Sequence, residues 1–150
     1  MKIRKAEQCD INNNLLNLYI EGFNLHYEQR KDIFFPKSKD ELKDSLIEML
    51  NSPNETIFVI DDNEKIIGYA ITQFKDKATK AIWIDEIVID LNYQNKGYGK
   101  ILIDEICKYA RQAKCVRVEL SCWSFNSDAI EFYNKLGFIQ QKVIYEKKIN

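Results

Sequence analysis

Residues 94–99 read QNKGYG, and no other stretch restricts the fold as much. Two of the chain's five glycines stand one residue apart here, between the apolar run IVID (Ile87 to Asp90) and ILIDEICKYA (Ile101 to Ala110). Glycine weakens a helix, so its use at a helix start predicts a backbone that must turn tightly or come close to a ligand. A strand leading through such a loop into a helix is also a ready anion site. The first N–H groups of the helix are unpaired, the dipole adds partial positive charge, and missing Cβ atoms let oxygens reach the amides. Lys96 and Lys100 add charge beside it.

The rest of the chain supplies a mixed order of elements. KIRKAE (Lys2 to Glu7) reads as a first strand. From Asp10 to about Tyr27, Ile11, Leu15, Leu18, Tyr19 and Phe23 recur at helical spacing, with Asp10 as the expected cap. Ser38 with Glu41 three residues on gives a capping box for a second helix, whose apolar stripe is Leu42, Leu46 and Met49 and which Ser52-Pro53-Asn54 ends. ETIFVID and KIIGYAITQF read as strands joined by the turn DDNE. After the polar stretch KDKATK comes KAIWIDEIVID, in which Ile82 and Ile84 share one parity and Ile87 and Ile89 the other. That slip predicts a β-bulge at Asp85-Glu86.

A helix to about Arg111 follows the glycine loop, with Tyr98, Leu102, Ile106 and Tyr109 on one stripe. CVRVELS alternates as a strand with Val116, Val118 and Leu120 on one face. A last helix starts near Asn126 or Ser127 and stops at Gly137. FIQQKVIYEKKI reads as a final strand or hairpin. The order implies one domain spanning residues 1–150, of α/β or α+β type.

Composition narrows the function. A chain of 150 residues, 45% hydrophobic and 30% charged, fits an ordinary globular domain. Its net charge of −1 argues against a nucleic-acid partner held by a positive field. No apolar run is long enough to span a bilayer, and MKIRKAEQCD lacks an apolar signal core, so the expectation is no membrane partner and a cytoplasmic location. Cys9, Cys107, Cys115 and Cys122 show no metal-ligand spacing, and one histidine does not complete a zinc set, so no metal is expected.

Three phosphate ligands compete for the loop. A nucleotide triphosphate site needs Gly-Lys-Ser/Thr, but Lys100 is followed by Ile101. A dinucleotide fingerprint needs a third glycine where Leu102 stands, although Glu119 falls at the distance of a ribose-binding acid. The third is a coenzyme A pyrophosphate. IDEIVIDLNYQNKGYGKILIDEI resembles the signature of the GNAT superfamily of N-acetyltransferases, Gln/Arg-x-x-Gly-x-Gly/Ala opening a helix, with Gln94, Gly97 and Gly99 as the matches. NSDAIEFYNKLGF resembles the family's next motif through Asn126, Ala129, Phe132, Tyr133, Gly137 and Phe138. The two blocks stand in the family's order, separated by CVRVELS, and the resemblance covers about Ile66 to Ile144.

The resemblance implies a mixed, mostly antiparallel sheet splayed between its fourth and fifth strands, flanked by about four helices. It implies acetyl-CoA as the donor in that gap, and direct transfer to a primary amine in a ternary complex. Ile87 and Ile89, with Val88 between them, would offer backbone hydrogen bonds to the thioester and pantetheine arm. Gln94, Asn95, Lys96, Gly97, Tyr98, Gly99 and Lys100 would cradle the pyrophosphate. Asn126, Ala129 and Tyr133 would complete the donor site, with Tyr133 as the acid that protonates the departing thiolate.

The acceptor amine, with a pKa of about 10, must lose a proton before attack. Glu86 or Asp85, at the strand bend, would take it directly or through a water. Adjacent strand residues point to opposite faces, so one of the two at most is expected to face the acceptor. The family's acceptor side makes His26, Tyr27 and Phe34 candidate substrate contacts, and Trp123 a candidate wall. The acceptor stays open among a polyamine, an aminoglycoside-like compound, an amino acid and a peptide N-terminus. A homodimer involving the final strand fits the family. A non-catalytic coenzyme A-binding domain and a nucleotide-dependent oxidoreductase are the rival readings.

Overall fold

The computed structural model describes residues 1–75 and 80–149. Strands β1 (Lys2–Lys5), β2 (Glu55–Asp62), β3 (Lys65–Phe74), β4 (Ala81–Ile89) and β5 (Arg117–Leu120) form one sheet in sequence order. The helices are α1 (Leu15–Gln29), α2 (Lys39–Asn51), α3 (Tyr98–Gln112) and α4 (Ser127–Lys135). Pairing is antiparallel from β1 to β4 and parallel between β4 and β5, with α3 as the crossover that parallel neighbours require. The mixed, mostly antiparallel sheet is the expected one. Two compact units divide the chain, Met1–Leu120 with the sheet and Ser121–Asn150 with α4.

Alternation along β2 sorts its residues between two covers. Val59 points toward α1 and α2, where Leu15, Leu16, Leu18 and Leu46 pack with Ile57, Ile66, Tyr69 and Ile71. Phe58, its neighbour, points the other way and meets Tyr109 of α3 edge-on, with ring centroids 5.3 Å apart. Leu102 and Ile106 of α3 are fully buried. Each such side chain contributes about 2 kcal/mol of transfer free energy, so the sheet is held from both faces.

Local chemistry sets the ends. Ser38 Oγ accepts from the Glu41 N–H (3.1 Å) and Glu41 returns the bond to the Ser38 N–H (3.2 Å), the expected capping box. The β2–β3 turn is Asn63-Glu64 with φ of 53° and 69°, the left-handed pair that suits a two-residue hairpin. Gly137 (φ 86°) ends α4, its N–H bonded to the Asn134 carbonyl.

Four expectations need correction. The first strand stops at Lys5, and Asp10 does not cap α1. It sits in a short 3-10 turn, Gln8–Asn12, where Arg4 donates to both its carboxylate oxygens (2.7 and 2.8 Å) and the Glu7 N–H adds a third bond (2.7 Å). Val116 is 73% exposed, outside a β5 of only four residues. The tail 138–149 forms no strand, and Ile139, Ile144 and Tyr145 are exposed. Its composition suits a strand, but strand backbone needs a pairing edge. Within KDKATK, residues 76–79 lie outside the described residues.

Candidate active site

The site begins with one surplus residue. Thr72 of β3 pairs with Ile84 and Ile71 pairs with Glu86, which leaves Asp85 unmatched. This is the bulge expected from the parity slip. It returns Ile87 and Ile89 to the α3 side of the sheet, the side of Ile82 and Ile84. β5 follows β4 only from Ala81 to Ile84, so among the described residues no strand pairs 85–89 on that edge. The Asp90 N–H reaches the Ile67 carbonyl on β3 (2.8 Å). Backbone groups alternate sides along a strand, so those of Ile87 and Ile89 point to the open edge, with Val88 between them turned to β3.

The loop folds back onto this edge. Asp90 caps the turn Leu91–Tyr93, and Gln94 Nε2 donates to the Ile89 carbonyl (2.9 Å). Asn95 (φ 59°) and Gly97 (φ 87°) take left-handed conformations that reverse the chain into α3. Among the described residues a Cβ at Gly97 would meet nothing within 4 Å, so glycine is used there for its conformation. Gly97 is the N-cap and makes no side-chain cap bond. The first intrahelical bond runs from Ile101 to Gly97, so the N–H groups of Tyr98, Gly99 and Lys100 remain for a ligand. The two lysines are engaged elsewhere. Lys96 Nζ donates to the Asn92 carbonyl (2.9 Å) and Lys100 pairs with Asp104 (2.6 Å).

Asp85 and Glu86 correct the alternation argument. Gln73 Nε2 donates to both Asp85 oxygens (3.0 Å each), and Trp83 also bonds that carboxylate. Gln73, Ile71 and Tyr69 share one face of β3, and Glu86 lies beside Tyr69 on that same face. A bulge puts two consecutive side chains on one side, so both carboxyls face α1. Burial, with a further push from Asp85, raises the Glu86 pKa to about 7, against a smaller pull from the Tyr69 hydroxyl. Burial also raises Asp85, against its hydrogen bonds from Gln73 and Trp83. A carboxyl titrating near neutrality is suited to accept a proton at physiological pH.

Along α1, residues 19, 22, 23 and 26 fall at three- and four-residue steps on one stripe. Gly22 lies against the Glu86 carboxyl. Tyr19 meets Tyr69 edge-on (6.3 Å), and its pKa is raised to about 12 by burial and the Glu86 charge. Phe23 stacks on Tyr27 (6.0 Å) and meets Phe34 edge-on (6.4 Å), and His26 tilts against Phe34 (6.0 Å). The candidate acceptor residues His26, Tyr27 and Phe34 are therefore brought together. Lys37 lies over Phe23 and Lys31 over Tyr27, both at 5.7 Å.

In the second unit, Asn126 Oδ1 accepts from the Ala129 N–H (3.2 Å) and so caps α4. Tyr133 is packed between Phe132 (5.2 Å) and Phe138 (5.6 Å). Burial, then the Cys122 thiol, pushes its phenol well above the ordinary range, which keeps its proton in place at neutral pH. Trp123 stacks on Phe125 (5.9 Å).

Comparison with known proteins decides the family. The acetyltransferase (GNAT) family model matches residues 17–138. The chain belongs to the GNAT family. The Bacillus subtilis spermine/spermidine N(1)-acetyltransferase is 35% identical over 65 residues, 43% of this chain and 43% of that protein. A Bacillus halodurans protein of solved structure superposes with a TM-score of 0.89 at 23% identity, over 100% of both chains. A solved aminoglycoside N-acetyltransferase in complex with CoA gives 0.75 at 17% identity, over 98% of this chain and 93% of that one. The chain spans about half the length of the first curated relatives it matches, 43% in each of three.

The sequence reading of this candidate site in the GNAT chain leaves out Gly22, Tyr69 and Gln73, which lie against Glu86 or Asp85. Only Gly22 left a signal, a glycine inside an amphipathic helix, which marks a close approach.

Proposed function

We propose that the chain transfers an acetyl group from acetyl-CoA to a primary amine of a small molecule or peptide. The observation that carries this reading is the open edge of β4 beyond its bulge, running directly into the left-handed start of α3. That edge offers the backbone of Ile87 and Ile89 to an extended pantetheine arm, as an added strand would be held. The N–H groups of Tyr98, Gly99 and Lys100 then receive the pyrophosphate. An N–H on this edge also suits the oxyanion that forms at the thioester carbon.

In the reaction the amine, made neutral by loss of its proton to Glu86, forms the new C–N bond. The C–S bond breaks, Tyr133 gives its proton to the departing thiolate, and the second proton that the nitrogen sheds as it becomes an amide restores the phenol through solvent. Asp85, held by Gln73, adds negative charge that draws a cationic acceptor. Purified protein with acetyl-CoA and a panel of polyamines, aminoglycosides, amino acids and peptides tests the reading by release of free thiol. Tight coenzyme A binding with no thiol release across the panel would identify a binding domain instead.

A further inference from the structure

Tyr69 is fully buried in the cluster beneath α1. Its ring accounts for its packing. Its hydroxyl does not, because phenylalanine would fill the same space without a buried polar atom. Among the described residues that hydroxyl makes no hydrogen bond of proper geometry, and an unpaired buried hydroxyl is costly. Its surroundings give the reason for its presence. A Cβ on Gly22 would stand 3.1 Å from the hydroxyl, 3.0 Å from Val88 and nearer still to the Glu86 carboxyl. The phenol and the carboxyl thus face one gap, open because position 22 has no side chain.

We propose that Tyr69 is the positioning residue of Glu86, its hydroxyl donating to the ionised carboxylate across the gap that Gly22 leaves. The inference rests on the reading of Glu86 as the base. The other groups facing the carboxyl are Asp85 on β4 and Tyr19 on α1; Glu21 of α1 and Glu55 of β2 act on the two tyrosines. Of these, Tyr69 is the fully buried donor. A donor favours the charged form, so its loss must raise the pKa. A tyrosine that merely filled the core would leave that pKa unmoved when its oxygen is removed.

The test is a carbon-13 NMR titration of the Glu86 side-chain carboxyl in the whole protein, wild type against Tyr69→Phe, without ligand. The midpoint is expected to rise by about one unit, as for a lost hydrogen bond to a charged group. An unchanged midpoint in folded Tyr69→Phe overturns the proposal. Should that variant not fold, 3-fluorotyrosine placed at position 69 keeps the shape and strengthens the donor. The midpoint is then expected to fall, and a midpoint that stays put overturns the proposal. Turnover of Glu86→Gln is the separate check on the base: full activity there removes Glu86 as the base and leaves the hold of Tyr69 on its carboxyl standing.

Discussion

Gly22 on α1 and Glu86 on β4 approach so closely that a methyl group on the glycine would fall onto the carboxyl. The movable partner is the end of the Glu86 side chain, which can swing aside at modest cost. Gly22→Ala is therefore expected to disturb chemistry more than folding. A displacement of about an ångström at a reacting group lowers turnover on the order of 100-fold, while the melting temperature falls by only a few degrees. Steady-state kinetics beside a thermal melt check this; unchanged kcat would show that the approach has no bearing on the base.

Glu86→Gln separates activity from stability. As the proposed base, Glu86 works ionised, so wild-type kcat/KM is expected to rise with pH through about 7 and to drop by about 100-fold or more in the variant. The stability effect has the opposite sense. A carboxyl whose pKa is raised by folding holds its proton longer in the native state, so stability falls as pH rises from the ordinary carboxylate range toward 7. Glutamine escapes that penalty. The variant is expected to melt higher than wild type at pH 8 and no higher at pH 4, measured by calorimetry at both.

Tyr133→Phe removes the proton proposed for the thiolate and keeps the ring between Phe132 and Phe138. Turnover is expected to fall about 100-fold with coenzyme A affinity nearly unchanged. Paired calorimetric binding and rate measurements decide it: equal losses in both would make Tyr133 a binding group rather than the acid.

Arg4 binds Asp10 and Asp61 (2.9 Å to the second), joining β1, the 3-10 turn and β2. Burial pushes Asp10 up, but the Arg4 bonds and the Glu7 N–H outweigh it and hold the carboxyl below its usual value. Arg4→Ala leaves a buried carboxylate without its partner, a loss of about 3 kcal/mol at pH 7. A depressed carboxylate stabilises above its ordinary pKa and loses that contribution as pH falls. Urea unfolding is expected to show the gap between variant and wild type narrowing below about pH 4.

Legibility in the sequence followed the range of the interaction. The Ser38 box, the Gly97 and Gly137 conformations and the Asn126 cap depend on neighbours within four residues, and each was visible as a residue type at a spacing. The Asp85 bulge showed because a surplus residue changes the parity of the isoleucines around it. Its effect on the faces departs from strict alternation, which a bulge suspends at that one place. Tyr69 and Gly22 are linked only through the packing of α1 on the sheet, which no local pattern records. Val116 and the tail depart from the strand expectation for the converse reason: strand-forming composition needs a neighbour.

The bulge also shows how little chain separates an occupied sheet from an open one. Without Asp85 the β3–β4 ladder would run on in register, Thr72 to Ile84 and Ile71 to Glu86, with no residue displaced from its face. The lost quantity would be the bend, and a straight β4 is free to keep company with its parallel neighbour past Ile84. A length mismatch of one residue, about 3.3 Å of strand, thus holds a seam in the sheet ajar. The vacancy in the hydrogen-bond ladder lies just past one surplus residue, and a chain of this build that closed it would gain backbone pairing by giving up the open edge of residues 85–89.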